Sequence, residues 1–233
     1  MSTEPLRNLS RHSIRDDVYI ELKNAIIDGV FQPGARLNLS ELMEQFGISK
    51  TPLTEAIQKL ANEGLVSVKP RSGTYVSDMS LEQVEESFGF RRTIEIGAAE
   101  MIVDAITDEV IADLKRLVNG MERILVGKPS SSGLRRILHL DMQFHDAIIA
   151  ASGNTLLLAH YRQVNTLLQA LRIRKHYTFD HYKEALSDHK RVVACLEAGD
   201  KDGYIAEITK HLDSAARRIM DYTRLEIDNA SSA

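Results

Sequence analysis

Apolar residues recur along the first 78 positions at two different spacings. Val18, Leu22, Ala25 and Ile26 repeat with helical period and predict a helix that ends near Gly29, where "QPGARL" turns the chain. A second, short helix carries Leu39, Leu42, Met43 and Phe46, with Asn38 and Glu41 spaced to cap its start and Gly47 to end it. In a third helix Leu53, Ile57, Leu60 and Ala61 fall on one face, and Thr51, Thr54, Gln58 and Asn62 on the other. Ser49 is placed to cap its first turn. Pro52 is tolerated there because first-turn N–H groups have no intrahelical partner. The spacing then changes: "LVSV" and "TYVS" flank "KPRSG", a stretch with the composition of a hairpin tip. Three helices followed by a hairpin predict a winged helix-turn-helix.

After Asp78 no strand alternation is readable. Ser80 and Gln83 form a capping-box pattern. Helical periodicity predicts six helices at about 81–105, 108–126, 134–151, 155–174, 180–198 and 201–226. The predicted fold class is therefore mainly α: an N-terminal winged helix-turn-helix over residues 1–78 and a C-terminal all-helical bundle over 79–233.

Composition narrows the function. Aromatics are 6% and Trp is absent, which points to aliphatic helix packing. One cysteine, Cys195, excludes an internal disulfide framework. No apolar run approaches the ~18 residues of a transmembrane helix, and nothing resembles a signal peptide, so a soluble cytoplasmic protein is expected. Net charge is −4, and residues 1–78 hold 9 Lys/Arg against 10 Asp/Glu. A nucleic-acid reading must then rest on where particular charges sit. Such positions exist. A recognition helix enters the major groove with its N-terminal end leading. Here that end offers Ser49, Lys50, Thr51, Thr54 and Gln58, and the wing offers Lys69, Arg71 and the slim Gly73. Arg7, Arg11 and Arg15 could add backbone contacts from the N-terminal tail. The alternatives are a solvated helix face, or a helix-turn-helix used for protein contacts alone.

In the bundle, ionisable residues interrupt apolar stripes. Ile137, Phe144 and Ile148 share a stripe with Asp141 and His145, one turn apart. Ala185, Leu186, Val193 and Leu196 flank His189; Ile208, Leu212 and Ala215 flank His211. Four metal-type side chains thus point inward from three helices. An unpaired buried carboxylate is costly, and a divalent ion held by one Asp and three His would resolve the cost. The donor set suits Zn²⁺, with Ni²⁺ as an alternative; a metal-free polar cluster is the competing reading. Arg91 lies on the stripe of Val84, Phe88, Glu95, Ala98 and Ile102 and needs an anion, either a neighbour such as Glu95 or a bound carboxylate. Asn154 reads as an effector contact or as a helix-linking cap. His139 lies opposite the metal face. Arg172 and Arg174 fit either the pocket or solvent.

Two resemblances sharpen this. Val18–Ser77, through "PGARL", "GISKTPLTEAIQKLANEGLV" and "SGTYV", resembles the DNA-binding domain of the GntR family of bacterial regulators. Family members usually carry arginine where this chain has Lys50, and often again at Thr54. Lysine gives a point charge without a bidentate fork, and Thr54 removes a charge. "FRRTIE", "DMQFHDAIIAASGN", "SDHKRVVACLEAGD" and "ITKHL" resemble the FCD ligand-binding domain of the FadR-type branch. That resemblance implies a metal on Asp141, His145, His189 and His211, a small carboxylic acid effector near Arg91, and a homodimer on double-stranded operator DNA, with no membrane role. Six helices would place the chain in a VanR-like subgroup. The rival functions are a metal-dependent hydrolase, which lacks a placed general base or nucleophile, and a regulator that senses the metal itself.

Overall fold

The computed structural model describes residues 14–78, 80–128, 130–174 and 178–231. By contact density the chain divides into two compact units, with the change at Ser77–Asp78.

The first unit contains helices α1 (Ile14–Ile27), α2 (Leu39–Phe46) and α3 (Lys50–Asn62), and strands β1 (Arg36–Leu37), β2 (Val66–Lys69) and β3 (Gly73–Val76). Of the predicted stripes, Val18, Leu22, Ile26, Leu42, Leu53, Ile57 and Leu60 are buried, joined by Ala56, whereas Ala25, Leu39, Met43, Phe46 and Ala61 are partly exposed. Asn38 caps α2 by accepting from the N–H groups of Ser40 and Glu41, and Gly47 ends it in the left-handed region at φ 61°. Ser49 occupies the cap position of α3, but its side chain makes no capping hydrogen bond, contrary to the sequence expectation. Its hydroxyl stays exposed at the helix tip. The hairpin forms in the predicted place, with Val66 opposite Val76 and Lys69 opposite Gly73. A third strand was not predicted. β1 pairs antiparallel with β3, Arg36 opposite Tyr75, to give the sheet order β1-β3-β2. Two residues are too few for alternation to register as a pattern. The unit is a winged helix-turn-helix.

The second unit is helical throughout its described residues: α4 (Leu81–Gly97), α5 (Ala99–Ala105), α6 (Asp108–Val126), α7 (Ser131–Ala151), α8 (Thr155–Arg174), α9 (Phe179–Glu197) and α10 (Lys201–Ser231). The capping box of Ser80 and Gln83 is present. The helix expected at 81–105 is two helices, broken at Ala98 (φ −86°, ψ −1°). Seven segments replace the expected six, which removes the argument for a VanR-like subgroup. The break escapes periodicity because Ile94, Ala98 and Ile102 stay buried in register across it. α6 packs on α7 and α9, α10 on α4 and α9, and α8 on α7 and α4. The core they share runs from Val84 and Phe88 through Phe144 and Ile148 to Val193 and Ile208. Among the described residues no helix is long and apolar enough to cross a membrane.

Candidate metal centre and nucleic-acid interface

α7, α9 and α10 bring Asp141, His145, His189 and His211 into one cluster. All four are buried, and one potential ligand atom from each lies within 4.8 Å of the others. Asp141 and His145 meet because residues four apart share a helix face. Facing helices supply the other two. His189 Nε2 is 3.4 Å from Asp141 Oδ1. The ring centroids of His145, His189 and His211 are 4.7–5.3 Å apart.

Carboxylates stand behind two of the imidazoles. Glu95 Oε2 is 3.0 Å from His145 Nδ1, and Asp188 Oδ2 is 3.5 Å from His211 Nδ1. His145 Nε2 is buried with no hydrogen-bond partner among the described residues. Nδ1 held by a carboxylate and Nε2 left facing inward is the arrangement of a metal-ligating histidine. Two donors of a tetrahedral ion with bonds of ~2.1 Å lie about 3.4 Å apart, the separation found between His189 Nε2 and Asp141 Oδ1, and all four atoms stand within 4.8 Å of one another. The residues present therefore fit a divalent ion, and the three-nitrogen, one-oxygen donor set suits zinc.

Burial alone would raise the Glu95 carboxyl, but the Arg91 guanidinium and the His145 ring outweigh it and hold the group down at about 2. Arg91 Nε and Nη2 both lie 2.8 Å from Glu95 Oε1, and both residues are fully buried. The anion that Arg91 requires is thus supplied from its own helix, one turn on. Tyr204 fixes the same turn by donating to the Glu95 carbonyl at 3.1 Å. Asp188 also pairs with Arg191. Burial opposes ionisation of the Asp188 carboxyl, but His211, Arg191 and Lys210 hold it low.

Asn154 is not part of this cluster. It is exposed, and its Oδ1 accepts from Leu156 and Leu157 N–H at 3.1 Å each, as the cap of α8. The effector contact expected there is replaced by the capping role. His139 is exposed, as its position opposite the metal face implied. The side chains of Arg172 and Arg174 lie outside the described residues.

Sequence reasoning missed Asp188, Tyr161 and Asn165. Asp188 adjoins His189, so helical geometry turns it toward a different neighbour. Tyr161 and Asn165 are buried one turn apart on α8. Apolar residues occur all round that helix, so no stripe singles them out.

In the first unit the predicted nucleic-acid face is exposed. Ser49, Lys50, Thr51, Thr54 and Gln58 line the outer side of α3, with Gln58 donating to Asn62 at 3.1 Å. Lys69 and Arg71 are exposed on the wing, where Arg71 takes φ 63° at the tip. Gly73 sits at φ 137°, and a Cβ there would come within 2.9 Å of Arg36 Nε. The exposed Arg36 on β1 thus joins the basic edge of the wing, although sequence reasoning did not find it. Arg7 and Arg11 lie outside the described residues.

Comparison with known proteins agrees with both units. The family model "Bacterial regulatory proteins, gntR family" matches residues 14–76, and the FCD domain model matches residues 86–214. The HTH-type transcriptional regulator YdhC of Bacillus subtilis is 28% identical over 84% of this chain and 86% of its own. The gluconate operon transcriptional repressor of Bacillus licheniformis is 22% identical over 93% and 89%. Among solved structures, Escherichia coli McbR/YncC superposes with a TM-score of 0.75 at 23% identity, covering 87% of this chain and 95% of its own. These families and relatives are transcriptional regulators rather than enzymes.

Proposed function

The chain belongs to the GntR family of bacterial transcriptional regulators, in the branch that carries an FCD domain, and from that premise we propose that it is a metabolite-responsive regulator working in the cytoplasm as a homodimer. Two winged helix-turn-helix heads read the half-sites of a near-palindromic operator, since two-fold protein symmetry matches two-fold DNA symmetry. Lys50 and the small polar residues Ser49, Thr51, Thr54 and Gln58 approach phosphates and base edges. Lys69, Arg71 and Gly73 carry the wing along the backbone.

The observation that carries the effector reading is the buried cluster of Asp141, His145, His189 and His211. These four would hold the divalent ion, most simply Zn²⁺. When bound, the ion supplies a Lewis-acidic position where a carboxylate of a small organic acid can anchor. Glu95 holds His145 with Nε2 inward. The Arg91–Glu95 pair keeps a polar wall beside it. Buried apolar side chains, among them Phe144, Ile148 and Val193, surround it. An effector acts on the DNA heads through the difference in its affinity for two arrangements of the dimer.

The test is selection of fragmented genomic DNA from the source organism on the purified chain at near-physiological salt. A few retained sites that share a palindrome are expected. No enrichment, with or without added Zn²⁺ and organic acids, would overturn the regulator reading.

A further inference from the structure

The short strand β1 carries a cation that leans toward the wing. In β3 the buried Thr74 and Val76 face the core, and Gly73 and Tyr75 share the opposite, outer face. Register places Arg36 of β1 opposite Tyr75, and Lys69 of β2 opposite Gly73, so both cations stand on that outer face. Arg36 does not stay at its own level. Its guanidinium lies over Gly73, one residue pair nearer the hairpin tip. A Cβ at Gly73 would stand 2.9 Å from Arg36 Nε, 3.5 Å from Nη2 and 3.6 Å from Cζ. Glycine at this position therefore does two things. It takes φ 137°, and it leaves room for the Arg36 side chain.

Charge pairing separates two sides of the unit. Arg15, Lys23 and Lys59 each have a carboxylate partner, Glu55, Glu63 and Asp16 respectively. Arg36, Lys50, Lys69 and Arg71 have none among the described residues, and all four are exposed. Lys50, Lys69 and Arg71 belong to the tip of α3 and the wing, and Arg36 shares their state. Lys69 Nζ lies 5.1 Å from the centre of the Tyr75 ring. The Tyr75 hydroxyl donates to Ser72 O at 3.2 Å, which fixes that ring between the two cations. Like charges gathered on one sheet face repel. A polyanion lying against them offsets that cost, and duplex DNA is one.

Resting on the regulator reading above, we propose that Arg36 is a DNA-backbone clamp outside both the recognition helix and the hairpin loop. Its fork grips a phosphate of the strand that the wing follows. A guanidinium offers two parallel N–H groups to one phosphate. Such a contact supplies affinity and register rather than sequence preference.

Fluorescence anisotropy of the full chain across a salt series tests this on two duplexes of equal length. One is the operator recovered by genomic selection, and the other is a scrambled copy of it. Arg36→Gln should weaken binding to both by about tenfold, as loss of a charge-assisted hydrogen bond does. It should also flatten the slope of log affinity against log salt by about 0.9 on each. Arg36→Lys should keep the slope, since the charge remains, and lose part of the affinity with the fork. Both variants should melt at the wild-type temperature, since the side chain is exposed. Affinity that falls with the slope unchanged would make Arg36 a packing residue of the wing. A loss confined to the operator would make it a base reader. Either result, a slope lost in the lysine variant as well, or no loss at all would overturn the clamp and leave the regulator reading standing. If selection recovers no operator, both fall.

Discussion

Glu95 Oε2 lies 3.0 Å from Nδ1 of His145, and both side chains are completely buried. The contact ties α4, which carries no candidate ligand, to the metal cluster. It fixes which ring nitrogen of His145 faces the other three donors. Glu95 is also paired with Arg91, so one carboxylate serves a salt bridge and a ligand at once.

Those two roles separate by mutation. Glu95→Gln leaves the Arg91 charge without its carboxylate and should destabilise the fold by about 3–5 kcal/mol. It should also weaken metal affinity about 10–100-fold, as loss of a carboxylate behind a ligating histidine does. Adding Arg91→Met should recover much of the stability, because an apolar group replaces the stranded charge, but none of the metal affinity. Thermal melts and a chelator competition read the two effects. Recovery of both together would make Glu95 structural alone.

Metal removal gives a second prediction. A ligand bound only by the folded state stabilises it by mass action, about 2.7 kcal/mol at a hundredfold excess over Kd. Chelation should therefore lower the melting temperature, and added Zn²⁺ should restore it. His189→Ala with His211→Ala should abolish stoichiometric metal and make the melt insensitive to chelator. Metal retained by that double variant would mean that the ion sits elsewhere.

How much of this was legible depends on whether a feature follows a period. The four ligand candidates were visible because each interrupts an apolar stripe whose other members are the core. The outer face of α3 and the hairpin were visible for the same reason. The break at Ala98 was not, since buried positions continue through it in register. β1 was too short to show alternation. Ser49 has the right residue type and backbone for a cap, but its hydroxyl makes no such bond. Residue type alone cannot decide that. Asn154 has the opposite history: its place among family-like residues invited an effector role, and local geometry gives it a helix end to cap.

On the DNA side, Lys50→Ala removes one exposed charge at the tip of α3. Operator affinity should fall, and the slope of log affinity against log salt should flatten by about 0.9 if one phosphate contact is lost. An unchanged slope measured by fluorescence anisotropy would remove Lys50 from the interface.

His181 sets a pH dependence. Burial, then the Arg218 charge, hold its pKa below the ordinary value of 6.5, against a weaker opposite pull from Glu184 and Asp180. The folded state thus binds this proton less readily than the unfolded state. The neutral ring's full contribution is present above pH ~6.5 and is lost progressively as the pH falls toward the lowered folded pKa. Nδ1 of the neutral ring accepts from Thr178 N–H at 3.2 Å as part of the α9 capping box. His181→Gln keeps a capping acceptor and does not titrate. The stability of wild type relative to this variant should decline between pH 7.5 and 5.5, by less than about 1 kcal/mol for a part-exposed group. A difference that is flat or grows toward acid would contradict the assignment.

The most direct test of the whole account is the affinity of the purified chain for an operator recovered from genomic DNA. It is measured with the Zn²⁺-loaded protein, with and without a small organic acid that binds it, and repeated after chelation. The account predicts that the acid changes Kd at least about fivefold, the usual scale of coupling between sites, and that chelation abolishes the change. An acid that binds the metal-loaded protein and leaves operator affinity unchanged would contradict it. So would an operator affinity that follows metal concentration alone.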